Sequence, residues 1–168
     1  GLGAAAPHQS VGVGQAPARQ AALEAGLPPT VPALTINTVC GSGLKAVMLA
    51  SQAVRLGEAR VIVAGGMENM SRAPYLLRGA REGLKFGEAK LDDSMLVDGL
   101  WCAFEDCHMG QHAEYTSRAA ELTRVDLDRY AQESQQRAAR AASVGAFREE
   151  IVAVPVRTKG RETVISAD

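Results

Sequence analysis

Apolar positions along the chain change period several times, and each change marks an element. PARQAALEAGL at 17–27 predicts a short helix, with Pro17 near its first turn and Gly26 as its stop. PPTVP at 28–32 is a rigid connector, and ALTINTV at 33–39 is rich in β-branched residues and predicts a strand. From Gly43 to about Leu56, apolar residues such as Leu44, Val47, Met48 and Leu49 cover most of a helical circumference. An ordinary surface helix carries one apolar stripe, so the pattern predicts a helix sandwiched between layers, with Gly57 as its cap. RVIVA, within 58–66, is a short continuous apolar run of the kind that forms parallel strands buried on both faces. Strand, helix and strand in about 30 residues make a βαβ unit.

Beyond Met70 the periodicity fails. Residues 71–107 mix charges and glycines without a period and predict a long irregular excursion, of the kind that is functional or interfacial. Residues 108–122 predict a helix. Thr123 and Asp126 have capping-box spacing, with Asp in place of Glu or Gln, and open a second helix to about Ser143. Residues 149–168 predict two strands joined at Lys159-Gly160-Arg161. Residues 1–16 are Gly/Ala-rich and weakly patterned, and no element is predicted there.

Composition narrows the class. The 168 residues fit one domain, or one and a half small ones, and 46% hydrophobic with 22% charged residues describes a globular chain. A net charge of -1 lacks the basic footprint of a nucleic-acid binder. No apolar run approaches the ~18–20 residues of a membrane span. Nucleic acid and membrane are therefore not expected as partners. Three cysteines, Cys40, Cys102 and Cys107, are too few and too irregular for a disulfide framework. A reduced, cytoplasmic setting is expected. The chain opens on Gly without signal-peptide regions, and both ends read as cut, so a fragment is expected and organellar targeting stays open.

The candidate chemistry lies in TINTVCGSGLK at 35–45. Cys40 falls at the joint of the predicted strand and helix. A helix N-terminus favours a thiolate, and the thiolate is the nucleophile. Gly41 and Gly43 are expected to permit the sharp turn and a close approach by substrate. Hydrolases place a serine at a comparable strand-to-helix turn. The bland alternative is a small buried cysteine beside a flexible turn. A phosphate-cradling loop is disfavoured, because GxxxxGK[ST] is absent and CGSG is not GxGxxG. A Cys/His metal-binding domain is a further alternative: Cys102, Cys107, His108 and His112 form C-x4-C-H-x3-H, a poor spacing for a structural zinc site.

NTVCGSGLKAV, VIVAGGMENMSRAP, DGL and HMG, with GQAPARQAALEAGLP ahead of them, resemble the acetyl-CoA acetyltransferases, the biosynthetic thiolases. The resemblance runs from about Gly12 to the last residue and leaves residues 1–11 outside. It implies an α/β thiolase fold, layered αβαβα, of which this chain holds part of the first half (1–69, with the nucleophile) and most of the inserted loop domain (70–168). It implies an acyltransferase that condenses two acetyl-CoA into acetoacetyl-CoA, or runs the reverse thiolysis, through an acetyl-cysteine on Cys40. Coenzyme A thioesters are then substrates, and no separate cofactor is expected. Leu100, His108 and Met109 match family positions beside the CoA and the acyl pocket. Residues 74–91 match a loop that joins dimers into a homotetramer, and the strand around Ile36 matches one that pairs across a homodimer. Gln111-His112 and Trp101-Cys102 depart from the usual family residues. The family's NEAF, GHP and CxGGG segments do not occur here, so the chain alone is expected to be inactive. It could instead serve only as a dimerising or CoA-binding module.

Overall fold

The computed structural model describes residues 2–5, by their backbone alone, together with 12–158 and 160–167. The chain forms two compact units, Gly1–Met109 and Gly110–Asp168.

The first unit is built on a three-stranded parallel sheet. Its middle strand is β1 (Leu2–Ala5), flanked by β2 (Ala33–Ile36) and β3 (Val63–Gly66), with Leu2 opposite Ala33 on one side and Val63 on the other. This corrects the sequence reading twice. The weakly patterned N-terminus supplies a strand, and the two strands of the βαβ unit are separated by it. LGAA has little β propensity of its own; pairing with neighbours on both sides overrides that weakness.

Helix α1 (Pro17–Glu24) packs on β1 and β2, and α2 (Ser42–Arg55) packs on all three strands. Among the described residues the buried apolar ones are Ala18, Ala22 and Ala46, whose small side chains let helix and sheet backbones approach closely. The Thr35 hydroxyl accepts the Ala18 N–H at 3.1 Å and ties α1 to β2. The Arg19 guanidinium donates to the carbonyls of Val31 at 2.6 Å and Pro29 at 2.7 Å, which fixes the proline-rich connector.

Within the described residues, helix α2 is covered on one face and not sandwiched. Only Ser42 and Ala46 are buried in it, while Leu44 is 70% exposed and Val47 and Met48 are also exposed. One face meets the sheet, and no second layer of the described residues covers the other. β3 likewise starts two residues after the apolar run begins at Val61 and lies at the edge of the described sheet, with Val61 and Val63 exposed rather than buried on both faces.

The excursion after Met70 carries short elements. β4 (Tyr75–Leu77) pairs antiparallel with β5 (Leu91–Asp93), and an Arg78–Asp92 ion pair at 2.5 Å lies beside them. A π-helical turn, Leu96–Leu100, leads into β6 (Trp101–Cys102), which pairs antiparallel with β7 (Cys107–His108). Strands of two or three residues are too short to show a period, which is why the sequence reads as irregular.

In the second unit, α3 (Met109–Ala119) precedes α4 (Arg124–Ser143), and β8 (Val154–Thr158) pairs antiparallel with β9 (Arg161–Ile165). Of the expected strand junction, Lys159 lies outside the described residues, and Gly160 has φ 78°. Thr123 and Asp126 form the expected reciprocal cap: the Thr123 hydroxyl accepts the Asp126 N–H at 3.2 Å, and the Asp126 carboxylate accepts the Thr123 N–H at 3.1 Å. Among the described residues, no helix is long and apolar enough to cross a membrane.

Candidate active site

Cys40 stands where β2 gives way to α2, and its side chain is exposed rather than buried as the bland alternative required. None of the three cysteines is in a disulfide. The bend that presents Cys40 is not made by the glycines. Gly41, the residue before α2, has φ -83°, and Gly43 lies inside the helix. The left-handed residue is Val39, at φ 53°. That conformation costs a β-branched residue on the order of 1–3 kcal/mol and persists only when its surroundings hold it.

Hydrogen bonds hold it at every polar group of the residue. The Val39 N–H donates to the Asn37 side-chain oxygen at 2.8 Å. The Val39 carbonyl accepts the Ser42 N–H at 3.1 Å and the Ser42 hydroxyl at 2.6 Å. The same hydroxyl accepts the Thr38 N–H at 2.9 Å, using both its donor and an acceptor lone pair. Ser42 is 0% exposed, so it is the buried polar staple of the turn. Nor does space among the described residues demand them: a Cβ on Gly41 would lie 3.4 Å from the Thr38 carbonyl oxygen, an ordinary contact, and one on Gly43 would meet nothing within 4 Å. Sequence reasoning singled out Cys40, and the structure adds Val39, Asn37 and Ser42 as the residues that shape its turn. The Asn two residues before a strand end was the available signal, since Asn side chains commonly bond the backbone two residues on.

Leu100, His108 and Met109 come together at the open end of the β6–β7 pair. Leu100 is half-buried and immediately precedes Trp101, whose partner across the pair is His108. His108 is exposed, and Met109 is 38% exposed. The Trp101 indole N–H donates to the Asp106 carboxylate at 2.9 Å, closing the turn, and Asp106 sits at φ 50°. Within this pair, burial first and then the charges of Cys102, Glu105 and Asp106 push the Cys107 thiol up from its ordinary value. Cys40 belongs to the separate strand–helix joint. The arrangement therefore offers one exposed thiol on a braced turn and one hairpin end that mixes apolar and imidazole side chains.

Residues 5–168 match the thiolase N-terminal domain, so the match begins ahead of Gly12 and includes most of the residues that the sequence resemblance had left outside. The chain is 58% identical over 147 residues to an acetyl-CoA acetyltransferase of Pseudomonas aeruginosa, covering 88% of this chain and 37% of that protein. It is 51% identical over 160 residues to an acetyl-CoA acetyltransferase of Cupriavidus necator, covering 95% of this chain and 41% of that protein. A third relative, the mitochondrial acetyl-CoA acetyltransferase erg10A of Aspergillus fumigatus, is 52% identical over 156 residues, covering 93% of this chain and 36% of that protein. The chain thus spans roughly two fifths of the length of these relatives, and by the extent of its domain match it belongs to the thiolase family.

Proposed function

We propose that the protein containing this sequence is an acetyl-CoA C-acetyltransferase with Cys40 as its nucleophile. The observation that carries the proposal is the exposed Cys40 thiol on a hydrogen-bonded strand–helix turn, in a chain 51% identical over 160 residues to a protein of that name. The Cys40 sulfur attacks the acetyl thioester, coenzyme A leaves as its thiol, and the acetyl group rests on Cys40. A second acetyl-CoA, deprotonated at its methyl carbon, then attacks that acetyl group. Acetoacetyl-CoA is released and the Cys40 thiol returns. Thiolysis is the same sequence reversed.

Leu100, His108 and Met109 flank the coenzyme, and no separate cofactor takes part. Residues 1–69 supply part of the nucleophile half, and 70–168 supply most of the loop domain. β2 lies at the edge of the three-stranded order, which supports pairing between copies around Ile36. Arg78, Arg81, Lys85 and Lys90 are charged residues of the 74–91 loop, which joins dimers into a homotetramer. The setting is cytoplasmic, and the activity belongs to lipid metabolism.

The test begins with the intact protein as its gene produces it. Its mass is expected to exceed 17.7 kDa well enough to hold the missing acid–base segments, and Cys40→Ala is expected to abolish acetoacetyl-CoA formation. An unchanged rate in that variant overturns the assignment of Cys40. The 168-residue chain alone is expected to show no turnover, and measurable acetoacetyl-CoA cleavage by it would be the contrary result. A second reading is a non-catalytic module that only dimerises or binds CoA. The exposed apolar face of α2 at Leu44, Val47 and Met48 favours it. A native mass near 17.7 kDa together with stable self-association would select it.

A further inference from the structure

We propose that Cys102 and Cys107 form a reversible disulfide site, closed by a hydroperoxide. The two residues are direct partners across the antiparallel β6–β7 pair. Directly opposite residues project on the same face, with Cα atoms about 4.5–5.5 Å apart. Disulfides span Cα separations of about 4.4–6.8 Å, so the backbone is already in range. The intervening turn, 103–106, is also closed beforehand by the Trp101–Asp106 hydrogen bond and the left-handed Asp106. Bond formation therefore requires no search through open-loop conformations. Both side chains are half-buried. Burial first, then nearby charges with Cys102 among them, raise the Cys107 thiol, so Cys107 suits the resolving role rather than the first attack on the peroxide.

Both sulfurs are only half-buried, so an incoming thiol can reach the bond and reopen it by thiol–disulfide exchange. Within a reducing compartment such pairs sense oxidants rather than brace the fold.

The chemistry balances in two steps. One thiolate attacks the peroxide, breaking its O–O bond, and becomes a sulfenic acid as hydroxide leaves. The second thiol attacks that sulfur, the S–S bond forms, and water departs with the hydroxyl. Two thiols lose two electrons, and one peroxide gains them. Resting on the acetyltransferase reading, the bond would pin the strands beneath Leu100, His108 and Met109; the crosslink itself does not depend on that reading.

The experiment treats the chain with hydrogen peroxide, blocks remaining thiols with iodoacetamide and maps the peptides without reduction. Lys90 and Arg118 are successive basic residues, so trypsin releases both cysteines in the single peptide 91–118. That peptide is expected two hydrogens lighter and unalkylated, with alkylation restored by dithiothreitol. Cys102→Ser is expected to lose the mass shift while circular dichroism stays unchanged. Two alkylatable thiols in 91–118 after oxidation of Cys40, or a crosslink between chains through either cysteine, would overturn the proposal on the unmutated chain. The outcome leaves the acetyltransferase reading untouched, since Cys40 is not in the peptide.

Discussion

Two helix starts in this molecule solve the same problem in opposite ways. α4 opens on Thr123 with a reciprocal cap, in which the cap side chain and the one three residues on satisfy each other's backbone donors. α2 opens on Gly41, which has no side chain to cap anything. Its stabilising hydroxyl sits one residue inside the helix, on Ser42, and reaches backward to Thr38 and Val39. The α4 cap holds a helix end. The α2 arrangement holds a strained residue in front of the helix, and through it the position of Cys40. A polar group spent on the turn rather than on the helix marks where the geometry of one side chain matters more than the stability of the element.

Breaking the α2 start has the larger expected effect. Ser42→Ala leaves the Thr38 N–H without its buried acceptor, at an expected cost of about 1–3 kcal/mol. It should also slow alkylation of Cys40 relative to Cys102. Hydrogen exchange of the first amides of α2 and a timed iodoacetamide reaction measure the two effects. Val39→Gly sharpens the contrast, because glycine adopts the left-handed conformation without strain. In that background the loss caused by Ser42→Ala should shrink, and a double-mutant cycle reads the coupling. Additive effects would mean that Ser42 does not act through Val39.

At the α4 start, Thr123→Ala is expected to cost about 1 kcal/mol, read as faster exchange across its first turn with α2 unaffected. Acid should act on the same cap. Asp126 is held below the usual carboxylate range, first by the Thr123 hydroxyl, then by the Thr123 N–H, and further by Arg129. Its contribution is complete above the unfolded carboxylate value of about 3.9 and is lost as pH falls through the lower folded value. Fraying of α4 below about pH 4, absent in Thr123→Ala, would confirm the link. The smallest effect is expected from Arg124→Ala. The Arg124–Asp128 pair is exposed, with the cation on the N-terminal side, and its loss should leave the thermal unfolding midpoint essentially unchanged.

The same contrast explains what the sequence revealed. The α4 cap was legible because its partners lie three residues apart. Cys40 was legible because a β-branched run, a cysteine and a helical pattern meet at one point. Val39 and Ser42 were not, since a valine at positive φ contradicts its own propensity and only the surrounding bonds impose it. β1 was invisible because Leu2–Ala5 owes its strand form to partners about 30 and 60 residues away. The exposed side of α2 escaped notice for a related reason: an all-round apolar helix predicts burial, and the described residues cover only one face.

The placement of β1 between β2 and β3 has a consequence for the order in which the molecule is made. The ribosome delivers the central strand first and both of its partners later. At ~5–20 residues per second, Leu2–Ala5 waits seconds for Val63–Gly66 to emerge. During that interval β2 can cover one of its edges, and the three-stranded sheet closes only when β3 arrives. Synthesis thus presents the sheet's keystone before its arch, and the sheet cannot close until the segment carrying Val63–Gly66 has left the ribosome.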